Sequence, residues 1–194
     1  MIFSKKTYQE YLKSDAMALG LNISSFKFKL KNIFFPNYIW SFQKTLRKLE
    51  YYHNCKNKSL NKLYYFYLKY RFRKISVKLG FSIPINVFGP GLAIVHYGTI
   101  VINNATKIGK NCRIHACVNI GASGGEKEAP QLGDNIYIAP GVKIYGNIKI
   151  ANNTAIGANA VVNKSFHVEN IAIAGVPAKV VGEVDIKKII KHLK

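Results

Sequence analysis

The chain has 194 residues, 48% hydrophobic content and a formal net charge of +20. That apolar share excludes wholesale disorder, and no apolar run approaches the roughly 20 residues a membrane-spanning helix needs. Cys55, Cys112 and Cys117 form no disulfide framework or metal-ligand set, so reduced thiols in a cytoplasmic protein are expected, with no metal. Charge is uneven: residues 1–80 carry seventeen Lys or Arg against three acidic residues, and residues 81–194 carry twelve against six. A basic front half suits an acidic glycan or the inner face of a membrane, or is simply a solvated surface. Nucleic acid is not expected, because no zinc-finger spacing or aromatic single-strand motif accompanies the charge.

Residues 4–19 are predicted helical, with Tyr8, Leu12, Ala16 and Leu19 as the apolar stripe and Gly20 as a stop. Phe26 to Phe35 mixes aromatic and aliphatic residues with lysines before Pro36. It reads as a basic membrane-surface helix or as a partner face. Tyr38 to Tyr52 has helical spacing at Ile39, Phe42, Leu46 and Leu49. A polar connection, Cys55 to Asn61, leads to a helix over Leu63 to Leu79, with Phe66, Tyr70, Ile75 and Leu79 expected to be buried.

From Phe88 onwards the period changes. Ile102, Ile108, Ile114 and Ile120, then Leu132, Ile138, Ile144, Ile150, Ile156 and Val162, recur every six positions. Six suits neither a helix nor a flat strand, but fits a three-sided solenoid with one aliphatic residue per side. Eighteen residues per coil would then stack Ile102, Ile120, Ile138 and Ile156 along one inner edge. The asparagines at 103, 104, 111, 135, 147, 152, 153 and 159 fall at corners, where their backbone tolerance is useful. Two breaks stand out. The polar stretch from Gly121 to Gln131 has no aliphatic residue at position 126 and is expected to leave the coil as a loop. A register slip between Ile100 and Ile102 follows directly on His96. The predicted organisation is a basic helical region over 1–80, a coil over 81–182 and a basic tail over 183–194. The fold class is mainly β.

Gly89-Pro90-Gly91 ahead of His96, the loop before Leu132, and the exit Ala174-Gly175-Val176-Pro177-Ala178-Lys179 together resemble bacterial serine acetyltransferases, within the hexapeptide-repeat acyltransferases. The resemblance covers residues 80–182 well and the helices loosely. It implies a left-handed parallel β-helix, acetyl-CoA as donor, and homotrimers with sites between neighbouring solenoids. It also implies His96 as catalytic base, a role chemically suited to imidazole, which can take an alcohol proton near neutral pH. His115, one coil further on, is either an auxiliary or acceptor-binding residue or a packing histidine. Pro140, Gly157 and Ala158 match positions beside the pantetheine arm, or are plain corner residues. Lys179 is a partner for CoA phosphate or is solvated. Backbone N–H groups near Gly121 to Gly124 are candidate oxyanion donors.

Three positions depart from the family. Val95 stands where an aspartate orients the histidine, and Glu128 and Ala129 stand where an Arg-His pair meets the serine carboxylate. A glutamate turned into that pocket would repel serine, and a missing arginine removes its clamp. The expected activity is therefore acetyl-CoA-dependent O-acetylation of a surface-glycan sugar or its precursor. L-serine, giving O-acetyl-L-serine for cysteine biosynthesis, is the alternative, and a non-catalytic solenoid is a third reading.

Overall fold

The computed structural model describes residues 1–56 and 61–193, the side chain of Lys29 apart. Four helices come first: α1 (Lys5–Ala18), α2 (Phe26–Phe34), α3 (Tyr38–Cys55) and α4 (Lys62–Leu79). Their ends follow from local chemistry. Ser4 and Thr7 form a capping box on α1, and the Asn37 side chain accepts the Trp40 N–H at 2.9 Å to start α3. Gly80 stops α4 at φ 76°, a left-handed conformation that a side chain would strain.

On α3 the stripe Ile39, Phe42, Leu46 and Leu49 is buried, as its spacing predicts. The expected inner face of α4 is observed at Ile75 and Leu79 but not at its N-terminal half, where Phe66 is 55% and Tyr70 63% exposed. Leu68 and Phe72 turn inwards in their place, since α4 packs against α3 and the first strand of the coil, Phe81–Ser82. On α1, Tyr11, Asp15, Ala16 and Ala18 are buried, while Tyr8, Leu12 and Leu19 are half-buried. Of the connection expected over 55–61, Cys55 ends α3, and residues 57–60 lie outside the described residues.

Beyond Gly80 the chain winds into a left-handed parallel β-helix. Face A stacks Phe81–Ser82, Ile100–Ile102, Val118–Gly121, Lys143–Tyr145 and Val161–Val162. Face B stacks Lys107–Ile108, Gln131–Leu132 and Lys149–Ile150. Face C stacks Ala93–Ile94, Arg113–Ile114, Tyr137–Ile138, Ala155–Ile156 and Ile171–Gly175, and an antiparallel strand, Ala178–Glu183, finishes it. The inward columns are Ile94, Ile114, Ile138, Ile156 and Ile173 on face C, and Ile102, Ile120, Ile144 and Val162 on face A.

The register corrects the eighteen-residue arithmetic. Ile102 does pair with Ile120, but Ile120 pairs with Ile144, twenty-four positions on, and Ile138 belongs to face C. Segment 121–131 spends six residues outside the coil, so the phase of six survives while the count of sides shifts by one. A second enlargement precedes it. The run from Ile94 on face C to Ile102 on face A takes eight residues rather than six, and this longer corner carries His96.

Corner geometry explains the asparagines. Asn111, Asn135 and Asn153 adopt φ of 57–58°, and their amides form a ladder, Asn111 Nδ2 to Asn135 Oδ1 and Asn135 Nδ2 to Asn153 Oδ1, each 2.8 Å. The tail carries a short helix, α5 (Ile186–Ile189). Ile186 and Ile190 pack with Ala155 and Tyr137 on the outside of face C.

One buried ion cluster ties the helices to the coil. Arg47 Nε donates to Asp15 Oδ2 at 2.8 Å, and its Nη atoms donate to Asp15, Glu50 and the carbonyls of Phe88 and Gly89. Asp15 Oδ1 also accepts the N–H groups of Gly91 and Leu92, both at 2.9 Å, and Glu50 Oε1 accepts that of Asn86 at 2.8 Å. All five guanidinium N–H groups thus have acceptors. Burial opposes the Arg47 charge, but Asp15 and Glu50 outweigh it and hold its pKa above the ordinary arginine value.

Candidate active site

The long corner after Ile94 presents His96 to solvent beside the first turn of α3. A cleft of about 490 Å³ lies there, lined by Lys31, Phe35, Pro36, Asn37 and Ile39 from the helices and by Val95, His96 and Tyr97 from the coil. It exists because Pro36 ends the α2 segment and Asn37 restarts the chain as α3, leaving a gap over the corner. The Asn37 N–H is held by Asn32 Oδ1 at 2.9 Å, which fixes that wall.

His115 approaches from the next coil. Its ring centroid is 5.7 Å from that of His96 and 5.2 Å from that of Tyr137, the latter edge-on. Its Nε2 is buried without a hydrogen-bond partner among the described residues. Burial first, then the charges of Arg113 and His96, pushes the His115 pKa below the ordinary imidazole value. A neutral imidazole with an unsatisfied ring nitrogen therefore stands next to His96.

The columns of face C continue into this corner. One residue beyond Ile94, Ile114, Ile138 and Ile156, the register aligns Val95, His115, Ala139 and Gly157; two residues beyond, it aligns Ala116, Pro140 and Ala158, while the longer corner takes His96 out of that column and sets Gly98 over Ala116. Pro140 and Ala158 thus share one solvent-facing edge, at the corner that His96 also occupies one coil earlier, and all three are exposed. Lys179 pairs with Ala174 on the last strand of the same face and is exposed. Five strand spacings of about 4.8 Å separate the His96 strand from the Lys179 strand, roughly 24 Å. Gly157 has its own structural reason to be glycine: a Cβ there would meet the Ala174 Cβ at 2.9 Å.

The segment 121–131 lies elsewhere in the single chain. It leaves from the C-terminal end of the Val118–Gly121 strand, whereas His96 precedes the N-terminal end of the parallel neighbour Ile100–Ile102. Gly121, Glu128 and Ala129 are therefore not brought to His96 within one protomer. Ala129 is buried, its carbonyl accepting the Gln131 side-chain amide at 2.9 Å, and Glu128 is exposed. The glutamate expected to turn into an acceptor pocket faces solvent. Lys31, Asn37 and Tyr97 were missed from the sequence. Lys31 and Asn37 reach the cleft only by tertiary packing, and the register slip was the one local signal pointing to this corner.

Comparison with known proteins agrees with this fold. Residues 129–164 match the bacterial transferase hexapeptide family (six repeats). The serine acetyltransferase of Staphylococcus epidermidis ATCC 35984 is 42% identical over 95 residues, which is 48% of this chain and 44% of that protein. The chain thus aligns with less than half the length of the curated relatives it matches. The crystal structure of Neisseria gonorrhoeae serine acetyltransferase superposes with a TM-score of 0.70 at 25% identity, covering 93% of this chain and 68% of that one. Serine acetyltransferase from Brucella abortus S19, solved with coenzyme A, shares the fold with a TM-score of 0.67 at 24% identity over 93% of this chain and 70% of that one. The chain strongly resembles bacterial serine acetyltransferases within the hexapeptide-repeat acyltransferases. This overturns the glycan acceptor, and with it the glycan partner, expected from the departures at residues 95, 128 and 129. The relatives found are serine acetyltransferases by name. The expected homotrimer and membrane contact find no support in these relatives. Among the described residues, no helix is long and apolar enough to cross a membrane.

Proposed function

We propose that the chain transfers the acetyl group of acetyl-CoA to the hydroxyl of L-serine, with His96 as the general base. The observation that carries this reading is the His96–His115 pair at the mouth of a cleft, in a chain whose matching relatives are serine acetyltransferases. The donor has room on the coil: the column Ala116, Pro140 and Ala158 presents no large side chain over three successive coils. Lys179 at the far end of face C offers a cation for a phosphate. Acetyl-CoA supplies an activated thioester carbonyl.

The residues of this chain then divide the work. Imidazole at His96 takes the proton from the serine hydroxyl as its oxygen bonds to the thioester carbon. It returns that proton to sulfur as the carbon–sulfur bond breaks, so O-acetylserine and CoA leave with no net charge gained by the protein. His115, kept neutral by burial and by its neighbours, faces His96 without adding a second positive charge to it, and takes the orienting part that an aspartate at position 95 would play. Lys31 supplies the cation for the serine carboxylate that Glu128 cannot supply.

The test is an acetyl-CoA consumption assay with L-serine, read by product mass, on the wild type and on His96→Ala. The expected result is an acetyl adduct of serine, and a variant whose turnover falls by about 10²–10⁴ with CoA affinity unchanged. Wild-type turnover in His96→Ala would remove the histidine from this role. No serine product from the wild type would remove the acceptor.

A further inference from the structure

We infer that the junction of α1, α3 and α4 is a binding site for a small phosphate dianion, either inorganic phosphate or a compact phosphate monoester. This inference is independent of the reaction proposed above. Ser41, Lys44, Thr45 and Lys48 are spaced i, i+3, i+4 and i+7 on α3, so they share one face, turned away from the buried Phe42, Leu46 and Leu49. Together with Tyr8 of α1 and with Leu68 and Arg71 of α4 they line a cavity of about 220 Å³. Three cations and three hydroxyl groups thus meet around a space that holds a phosphate with a short substituent. No carboxylate lines it, and none of the three cations forms a salt bridge among the described residues.

The cations are held against aromatic walls rather than left free to diverge. Lys44 Nζ stands 5.7 Å from the Trp40 ring centroid, Lys48 Nζ 5.2 Å from that of Tyr64, and the Arg71 guanidinium 5.9 Å from that of Tyr67. Thr45 Oγ1 donates to the Ser41 carbonyl at 2.7 Å, which leaves its lone pairs and the Ser41 hydroxyl facing the cavity region. Burial and then the nearby charge of Arg71 lower the Lys44 pKa, so like charge is stored there uncompensated. A hydrogen bond from Lys48 to Tyr64 raises the Lys48 pKa and keeps its ammonium charged at the cavity wall. An entering dianion would relieve the repulsion, take the fork of Arg71 on two oxygens and leave others for the two ammonium groups. A singly charged diester offers less to three cations, which is why the site is assigned to a monoester or to free phosphate.

The protein carries its own reporter, since Trp40 is the single tryptophan and Lys44 stands over it. Inorganic phosphate is titrated against the full chain at about pH 8, where it is mostly the dianion, with ionic strength held by chloride. Trp40 emission and melting temperature are both followed. Dimethyl phosphate serves as the parallel probe, standing for the diester of nucleic acids and phospholipids. The expected result is a saturable change with inorganic phosphate, at least about tenfold weaker with dimethyl phosphate. The midpoint should rise at least about tenfold in Arg71→Gln and in Lys44→Gln, the latter read by melting because its tryptophan surroundings change. Arg71→Lys, which keeps the charge and loses the fork, should fall between them. A response that never saturates, equal midpoints for the two probes, or a wild-type midpoint in folded Arg71→Gln would overturn the site.

Discussion

The coil and the helices are stabilised in opposite ways. In the coil one small set of interactions repeats: an inward aliphatic residue, a two-residue strand and a corner, again and again along faces A, B and C. Each repeat touches only its neighbours, so loss of any one is felt locally. The helices meet that coil through apolar packing of α3 and α4 and through one ionic junction, where Arg47, Asp15 and Glu50 are buried together and satisfy backbone groups from Asn86 to Leu92. A repeated hydrophobic device is redundant, and a unique ionic one is not. The cleft at His96 lies across this seam, with His96 on the redundant part and Lys31 on the other.

Arg47→Ala tests the comparison hardest. It strands the carboxylates of Asp15 and Glu50 in a dry site and orphans two carbonyls, which costs about 3–5 kcal/mol. Urea unfolding should show the loss, with the helices losing protection from hydrogen exchange before the coil does. Coil and helices melting together at wild-type stability would mean that the cluster is not what joins them.

These two kinds of construction also explain what could be read from the sequence. The coil was legible because Ile102 to Val162 states the same constraint ten times, and ten agreements outvote one bad match. The side count was misjudged at the loop because a six-residue excursion preserves the phase of six and hides itself. The junction was not legible at all. Asp15, Arg47 and Gly91 are far apart in sequence, have no period, and belong to residue types that normally face water. His96, Pro140 and Ala158 could be picked out through the family resemblance, whereas Lys31 could not, because its place depends on how α2 and α3 settle over a corner. Glu128 was placed in an acceptor pocket by the family resemblance, and within one chain it is exposed and away from His96.

Within the coil, Asn135→Ala probes one corner of the ladder. Alanine at φ 58° costs roughly 1–2 kcal/mol of backbone strain, and the lost amide bonds to Asn111 and Asn153 add about 1 kcal/mol. Asn135→Gly should recover the strain and leave only the hydrogen-bond loss. If both variants lose the same amount in urea, the ladder alone matters and the left-handed backbone does not.

Lys31→Gln probes the cleft from its helical side. An exposed cation meeting a carboxylate is worth about 1 kcal/mol or somewhat more, so KM for L-serine should rise about tenfold while turnover and the CoA KM stay near wild type. The coil-side variant His96→Ala should show the reverse split. A fall in turnover with unchanged serine KM in Lys31→Gln would place the carboxylate elsewhere.

The smallest effect concerns His115 and the pH dependence of stability. Its pKa in the folded protein lies below the ordinary value, from burial first and then from Arg113 and His96, while Tyr137 packs edge-on without charge. Between the folded pKa and the unfolded value of about 6.5 the unfolded chain binds the extra proton, so stability rises with pH through that window and falls on acidification. The useful quantity is the difference between wild type and His115→Gln, which removes the contribution of every other group, measured by urea unfolding from about pH 8 to about pH 5. The glutamine has no proton to take up and keeps a polar side chain in the corner. The wild type should lose stability relative to the variant as pH falls below about 6.5, then level off once the folded pKa is passed. A flat difference would mean that His115 is charged as easily in the corner as in the open chain, and that it could not serve His96 as a neutral neighbour. A difference that grows in favour of the wild type at low pH would require a carboxylate facing His115, and the described surroundings, Arg113, His96 and Tyr137, offer none.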